Sequence, residues 1–268
     1  MKNKHNYSRE HIAYLKKQRN KKIIVIVSRV LLLVFILGIW ELCAQLKVID
    51  PFITSSPSRV IKTIGELYTN GTLFFHIGIT LAETIAGFII AVALGYAVAV
   101  VLWASDTVHK VLEPYIVVLN SLPKIALGPL IIIWIGTGYD AIIFMTVLVS
   151  IIVCIMNMLT GFLAVDKTKL LLMKAMGANK ATTLRKLVIP ASLPVLINTL
   201  KVAVGLAWIG SIMGEYIVSK AGLGYLIVYG GQVFKLDLVM TATFILCILA
   251  GGMYGIVSLI EKKVNKTR

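Results

Sequence analysis

Charged side chains inside long apolar runs are the residues of this chain whose type and placement invite chemistry. Glu41, Glu83 and Glu215 fall in or beside such runs, and Lys124 lies within another. A carboxylate placed there relays protons, pairs with a cation on another helix, or accepts from a buried backbone donor. A lysine near mid-depth costs about 2.5–3.5 kcal/mol on insertion scales, so Lys124 is expected to face a charged partner, water or a solute. The plainer accounts are an ion pair with Glu41, Glu83 or Glu215, or a side chain that snorkels. One acid per run, with no acid or base beside it, is a thin basis for a proton pump. His5, His11, His76 and His109 show no metal-ligand spacing, and Cys43, Cys154 and Cys247 sit in apolar runs as small inert hydrophobes. No Gly is followed by Lys, which excludes the phosphate-cradling G-x-x-x-x-G-K-[ST] loop, and neither H-E-x-x-H nor G-x-S-x-G occurs. The expectation is a chain that is not an enzyme and itself binds no metal and no cofactor.

The elements that must position these residues follow from composition. Of 268 residues, 58% are hydrophobic and 15% charged, far from the roughly 25% charged of a soluble domain. The net charge of +15 could suggest nucleic acid, but long uncharged runs leave no solvated basic face. Six runs reach the length of about 20 residues that a bilayer demands: Ile23–Leu46, Ile77–Trp103, Tyr115–Ile135, Ala141–Val165, Val195–Val218 and Leu238–Ile260. An all-α polytopic membrane protein with six transmembrane helices is therefore expected. The first run is too long for a signal-peptide core and no small-x-small site follows it, so it is expected to stay uncleaved.

Basic residues set the orientation. With the N-terminus inside, nineteen Lys and Arg fall on the inner segments and five on the outer ones, Lys47, Arg59, Lys62, Lys220 and Lys235. Both termini are thus expected in the cytoplasm, with residues 1–22 a basic N-terminal segment, 23–260 the transmembrane domain and 261–268 a basic tail. The excess positive charge reads as topology and attraction to anionic lipid.

The largest inner loop, Asp166–Pro194, carries the most local information. Asp166 can cap a helix whose strong formers run to Met176, Gly177 suits a left-handed turn, and Asn179 can cap a second helix, Lys180–Ile189. Pro190 and Pro194 are expected to separate that helix from the fifth span. This amphipathic helix–turn–helix either rests on lipid heads or docks its apolar side into a partner protein. The third span contains Ser121, Pro123, Lys124, Gly128 and Pro129 and is expected to break, which a membrane tolerates only against protein or a watery cavity. Small residues at four-residue spacing, Gly87-Ala91-Gly95-Ala99, Gly210-x-x-x-Gly214 and Gly251-x-x-x-Gly255, read as close-packing seams, within the bundle or against a second copy.

At the inner loop the chain resembles the membrane-spanning permease subunits of bacterial ABC importers, in the branch handling nitrate, sulfonates, taurine and similar solutes. That family's E-A-A-x-x-x-G, nine residues, I-x-L-P signature is matched by Gly177 and by Leu187-Val188-Ile189-Pro190, while Leu171-Leu172-Met173 replaces the E-A-A triplet. Trp40-Glu41, Asp50-Pro51-Phe52, Ser121-Leu122-Pro123-Lys124, Trp134-Ile135-Gly136, Ala207-Trp208-Ile209-Gly210, Glu215 and Gly222-Leu223-Gly224-Tyr225 extend the likeness over about residues 38–260. A second departure is Glu83, at a position where the branch commonly has arginine.

The resemblance implies an importer for a small nitrate-, sulfonate- or taurine-like solute, in the bacterial inner membrane. Two permease copies would enclose the path, two separate ATP-binding cassette subunits would use ATP-Mg beneath, and an extracytoplasmic solute-binding protein would deliver cargo. It further implies a coupling helix comprising Leu170, Leu171, Leu172, Met173, Lys174, Ala175, Met176, Gly177 and Ala178, closed off by Pro190. Ser121, Pro123, Lys124, Trp208 and Glu215 are the residues it suggests for the translocation path. The outer loops, one with a short helix over Ser58–Tyr68 and the other Ser219–Asp237, would receive the binding protein. The rival expectation is an ion-coupled secondary transporter working through Glu41, Glu83 and Glu215.

Overall fold

The computed structural model describes residues 9–266, and among them every regular element is helical. The first eight residues of the basic N-terminal segment and the last two of the tail lie outside the described residues. The chain divides into two compact units, Met1–Thr63 and Ile64–Arg268.

In the first unit, α1 runs over Arg9–Gln45 and α2 over Pro51–Thr54, and α3 (Pro57–Thr69) begins there. The apolar residues of α1, from Ile23 through Leu42, are mostly exposed, as expected of a helix whose solvent is lipid. Asp50 caps α2 by accepting from the Phe52 N–H at 2.9 Å. Glu41 accepts from the Ser58 N–H at 3.0 Å and from its hydroxyl at 2.9 Å, closing the first turn of α3. The short outer helix expected over Ser58–Tyr68 is α3.

The second unit is built on three long helices, α4 (Leu73–Ala104), α7 (Tyr139–Leu163) and α10 (Ile189–Val218). Small residues let them approach. A Cβ on Gly95 would fall 2.7 Å from Cβ of Cys154, and one on Gly210 would fall 2.6 Å from Cα of Thr146. The Gly87–Ala99 and Gly210–Gly214 seams are thus real contacts within the chain. A Cβ on Gly251 or Gly255, in α12 (Leu236–Lys266), would meet nothing within 4 Å, so among the described residues that seam packs against no element of its own unit. Between α10 and α12 the second unit also carries α11 (Leu223–Gln232), a helix in the segment expected to be a loop.

The third span is broken, as the prolines and glycine require: α5 (Asp106–Ser121) meets a 3-10 turn, Lys124–Leu127, and α6 (Gly128–Ile135) at a bend of 85°. The fifth span corrects an expectation. Pro190 and Pro194 do not separate it from the preceding helix: α9 (Lys180–Thr183) passes through a π turn, Leu184–Val188, straight into α10, giving one 39-residue rod, Lys180–Val218. The π turn lets the Ile189 N–H reach back to the Leu184 carbonyl, which delivers Pro190 into the first turn of α10, where a missing N–H is harmless. Pro194 then sits inside α10 at the loss of one ladder bond, which a helix braced by protein tolerates. Among the described residues, five helices can cross a membrane by length and composition, or six with the bent pair as one span.

Candidate functional site

The loop between α7 and α10 is fixed by local sequence. Asp166 accepts from the Thr168 N–H at 2.8 Å and starts α8 (Lys167–Ala175), as its spacing predicts. Gly177 has φ +75°, a conformation costly for any side chain, and the Gly177 and Ala178 amides bond back to the carbonyls of Lys174 and Met173. Asn179 then accepts from the Thr182 N–H at 2.8 Å and starts α9.

Tertiary contacts fasten this rod at both ends. Leu170 and Leu184 pack against a buried cluster of Leu102, Ile155, Leu159, Phe162, Val165 and Val188, which joins the ends of α4 and α7 to the loop. Lys180 Nζ donates to the Ala104 carbonyl at 2.7 Å, placing a cation on the C-terminus of α4. Leu171 and Leu172 of α8 and Met176 just after it have no such cover, being 66%, 60% and 74% exposed, whereas Met173 is half-buried. Three large apolar side chains thus stand bare on and beside a fastened helix.

The broken third span holds Ser121, Pro123 and Lys124. Ser121 and Pro123 are exposed, and half-buried Lys124 donates to the Asn120 carbonyl at 3.1 Å. The expected ion pair between Lys124 and an acid does not form: Glu41 caps α3, and Glu215 is engaged elsewhere. Snorkelling along its own helix to a carbonyl is the less demanding solution for a lysine beside a helix break. Trp208 is packed with Val204 and Val257 against Leu81, Phe88 and Met253, inside the unit.

At the opposite end of α10 lies a polar site that reading along the sequence did not assemble. His76, Thr80, Glu83 and Thr84 are buried on one face of α4. Thr84 shares a 2.7 Å hydrogen bond with Ser211 of α10. The amides that open α11 are then taken one by one. The Gly222 N–H donates to His76 Nδ1 at 3.0 Å, the Leu223 N–H to Thr80 Oγ1 at 2.8 Å, and the Gly224 N–H to Glu215 Oε2 at 2.5 Å. The Tyr225 N–H reaches the same carboxylate oxygen at 3.3 Å, so the helix N-terminus rests on an anion. Gly222, at φ +110°, and Gly224 are glycines because a Cβ on either would run into the Glu215 side chain. The four-residue spacing of His76, Thr80 and Thr84 in an apolar helix was the available signal for this face. Its target, a glycine-rich turn far along the chain, carried none.

Helices long and apolar enough for a bilayer, one of them broken and one continued as a rod into a capped, exposed apolar loop, define a multi-pass membrane protein of transport type. Residues 87–266 match the family described as "Binding-protein-dependent transport system inner membrane component", and the chain belongs to that family. It is similar to the putative aliphatic sulfonates transport permease protein SsuC of Bacillus subtilis, 25% identical over 87% of this chain and 84% of the relative. The taurine transport system permease protein TauC of Escherichia coli is 26% identical over 81% of each. Among solved structures, an inward-facing MetNI methionine ABC transporter chain shares the fold, with a TM-score of 0.65 at 20% identity over 73% of this chain and 97% of that one. The protein is thus a permease subunit of a binding-protein-dependent ABC importer, a transport component and not an enzyme.

Proposed function

We propose that two copies of this chain enclose the translocation path and that each is driven by a separate ATPase subunit docked on the helix around Leu170–Ala178. The observation that carries this reading is the pairing of bare Leu171, Leu172 and Met176 with the fastening of the same loop through Leu170 of α8 and Lys180 of α9. A partner gripping the bare face would move α8 as a rigid body. Its displacement would pass through the buried cluster and the Ala104 carbonyl to the ends of α4, α7 and α10. ATP and its magnesium would be used by that partner and no cofactor by this chain. In place of the family glutamate, Leu171-Leu172-Met173 would make an apolar contact.

In this reading both termini, with the basic segments 1–22 and 261–268, face the cytoplasm, and residues 23–260 form the membrane domain. An extracytoplasmic binding protein would deliver a small solute of the nitrate, sulfonate or taurine kind to the opposite side. Ser121, Pro123 and Lys124, at the exposed break of the third span, are the residues proposed to face the path; Trp208 and Glu215 would shape it from within the subunit. The ion-coupled alternative through Glu41, Glu83 and Glu215 loses force because two of the three acids cap helices.

The test is uptake by cells carrying Gly177→Asp or Gly177→Pro. A side chain at φ +75° disrupts the turn, so uptake should vanish while both variants insert and accumulate in the membrane at the wild-type level. Normal uptake by either variant contradicts the coupling role.

A further inference from the structure

Glu83, buried in α4, has no role in the preceding account. Its side chain is 1% exposed, and among the described residues its carboxyl meets no hydrogen-bonding group but the carboxyl of Glu215. It lies beside the carboxyl of Glu215, itself 1% exposed. Two carboxylates side by side away from water repel, and an uncompensated buried charge destabilises strongly. The two differ in what surrounds them. Glu215 accepts from the Gly224 and Tyr225 amides at the start of α11, which offset much of its charge. Glu83 has no such compensation, so the pair must share one positive charge, a proton between the two carboxyls or a small cation.

Glu83 also lines a cavity of about 260 Å³ together with Ile79, Thr137, Tyr139, Ile142, Ser219 and Lys220, its carboxylate oxygens shielded from the surface. Thr137 and Tyr139 bring hydroxyls to the same cavity, Ser219 being engaged with Ala221, and the carboxylate supplies the charge. No group of three acidic, His or Cys side chains able to hold a metal exists among the described residues, which argues against a divalent ion with its larger ligand demand. We propose that Glu83, backed by Glu215, forms a binding site for a small monovalent cation that enters from this cavity. Two sources present that chemistry, an alkali-metal ion and the ammonium head of a small solute, and both fit the volume. Lys220, exposed at the cavity rim, does not hydrogen-bond to Glu83 and is its intramolecular competitor. The site stands independently of whether α8 docks on an ATPase.

The experiment is thermal unfolding of the full chain in lipid nanodiscs, at fixed pH and at ionic strength held constant with N-methyl-D-glucamine chloride. Sodium, potassium and methylammonium chloride are titrated separately. A saturable rise in Tm of several degrees is expected with at least one of them. Response to sodium or potassium assigns an inorganic ion, and response to methylammonium alone assigns an ammonium-bearing solute. Glu83→Gln should abolish the response and begin from a higher Tm, because the uncompensated charge is gone. Glu83→Arg should do the same by placing a guanidinium against Glu215, and Lys220→Gln should retain the response. A wild-type Tm that ignores all three salts overturns the proposal; if it then follows pH alone the pair holds a proton, and if it falls in Lys220→Gln that lysine is the counter-charge. An equal salt response in wild type and Glu83→Gln overturns it as well.

Discussion

The two ends of the rod that contains α10 solve opposite problems. At its far end the backbone amides of Gly222, Leu223 and Gly224 are each matched to a buried acceptor from α4 or α10, so that α11 is held wholly by this chain. At its near end the backbone is equally well capped, by Asp166 and Asn179, yet Leu171, Leu172 and Met176 are left bare. The lesson is that polar satisfaction and apolar cover are separable. A segment with both is complete in itself, whereas one with the first alone is rigid and unfinished, which is what a docking element requires.

That contrast can be broken by substitution, starting where the effect is largest. Gly210→Leu forces a side chain against the α7 backbone and should destabilise by about 3 kcal/mol or more, near the top of the overpacking range, seen as loss of folded protein in detergent. At the far end of the rod, His76→Ala leaves the Gly222 amide without its acceptor and should cost about 1–3 kcal/mol in thermal unfolding. Thr80→Val removes the acceptor of the Leu223 amide at nearly constant volume and should cost about 1–2 kcal/mol by the same measure. At the near end, Leu172→Ser should change stability by less than about 0.5 kcal/mol while abolishing stimulation of the partner ATPase by the reconstituted permease. Lys180→Gln should sharpen the distinction with the smallest effect, a partial loss of coupling at about 1 kcal/mol or less of stability, the range of an exposed helix-end cation. Destabilisation at the near end of the same size as at the far end would dissolve the comparison.

How much of this was legible beforehand follows the same divide. Asp166, Gly177 and Asn179 announce α8 and its turn because capping and left-handed glycine are decided within four residues. The break of the third span is equally local, since Pro123, Gly128 and Pro129 act on their own helix. The fifth span misled for a related reason: Pro190 and Pro194 read as a stop, but one π turn realigns the ladder, and an inserted turn leaves no mark in composition. Small-residue spacing recognised close packing at Gly87, Gly95 and Gly210, yet could not tell those from Gly251 and Gly255, because spacing does not say which face meets a neighbour. The seat of α11 was hidden most completely. His76 and Gly222 are 146 positions apart, and neither an isolated histidine in an apolar run nor a glycine-rich turn predicts the other.

The central claim, that the bare face of α8 is a seat for another subunit, is tested most directly by photo-cross-linking in the intact transporter. A benzophenone side chain replaces Leu172 in one preparation and Ile248, 70% exposed on α12, in another. The account predicts an ultraviolet-dependent adduct with the ATPase from position 172 and none from position 248. An adduct with lipid alone at position 172, or equal capture at both positions, would contradict it.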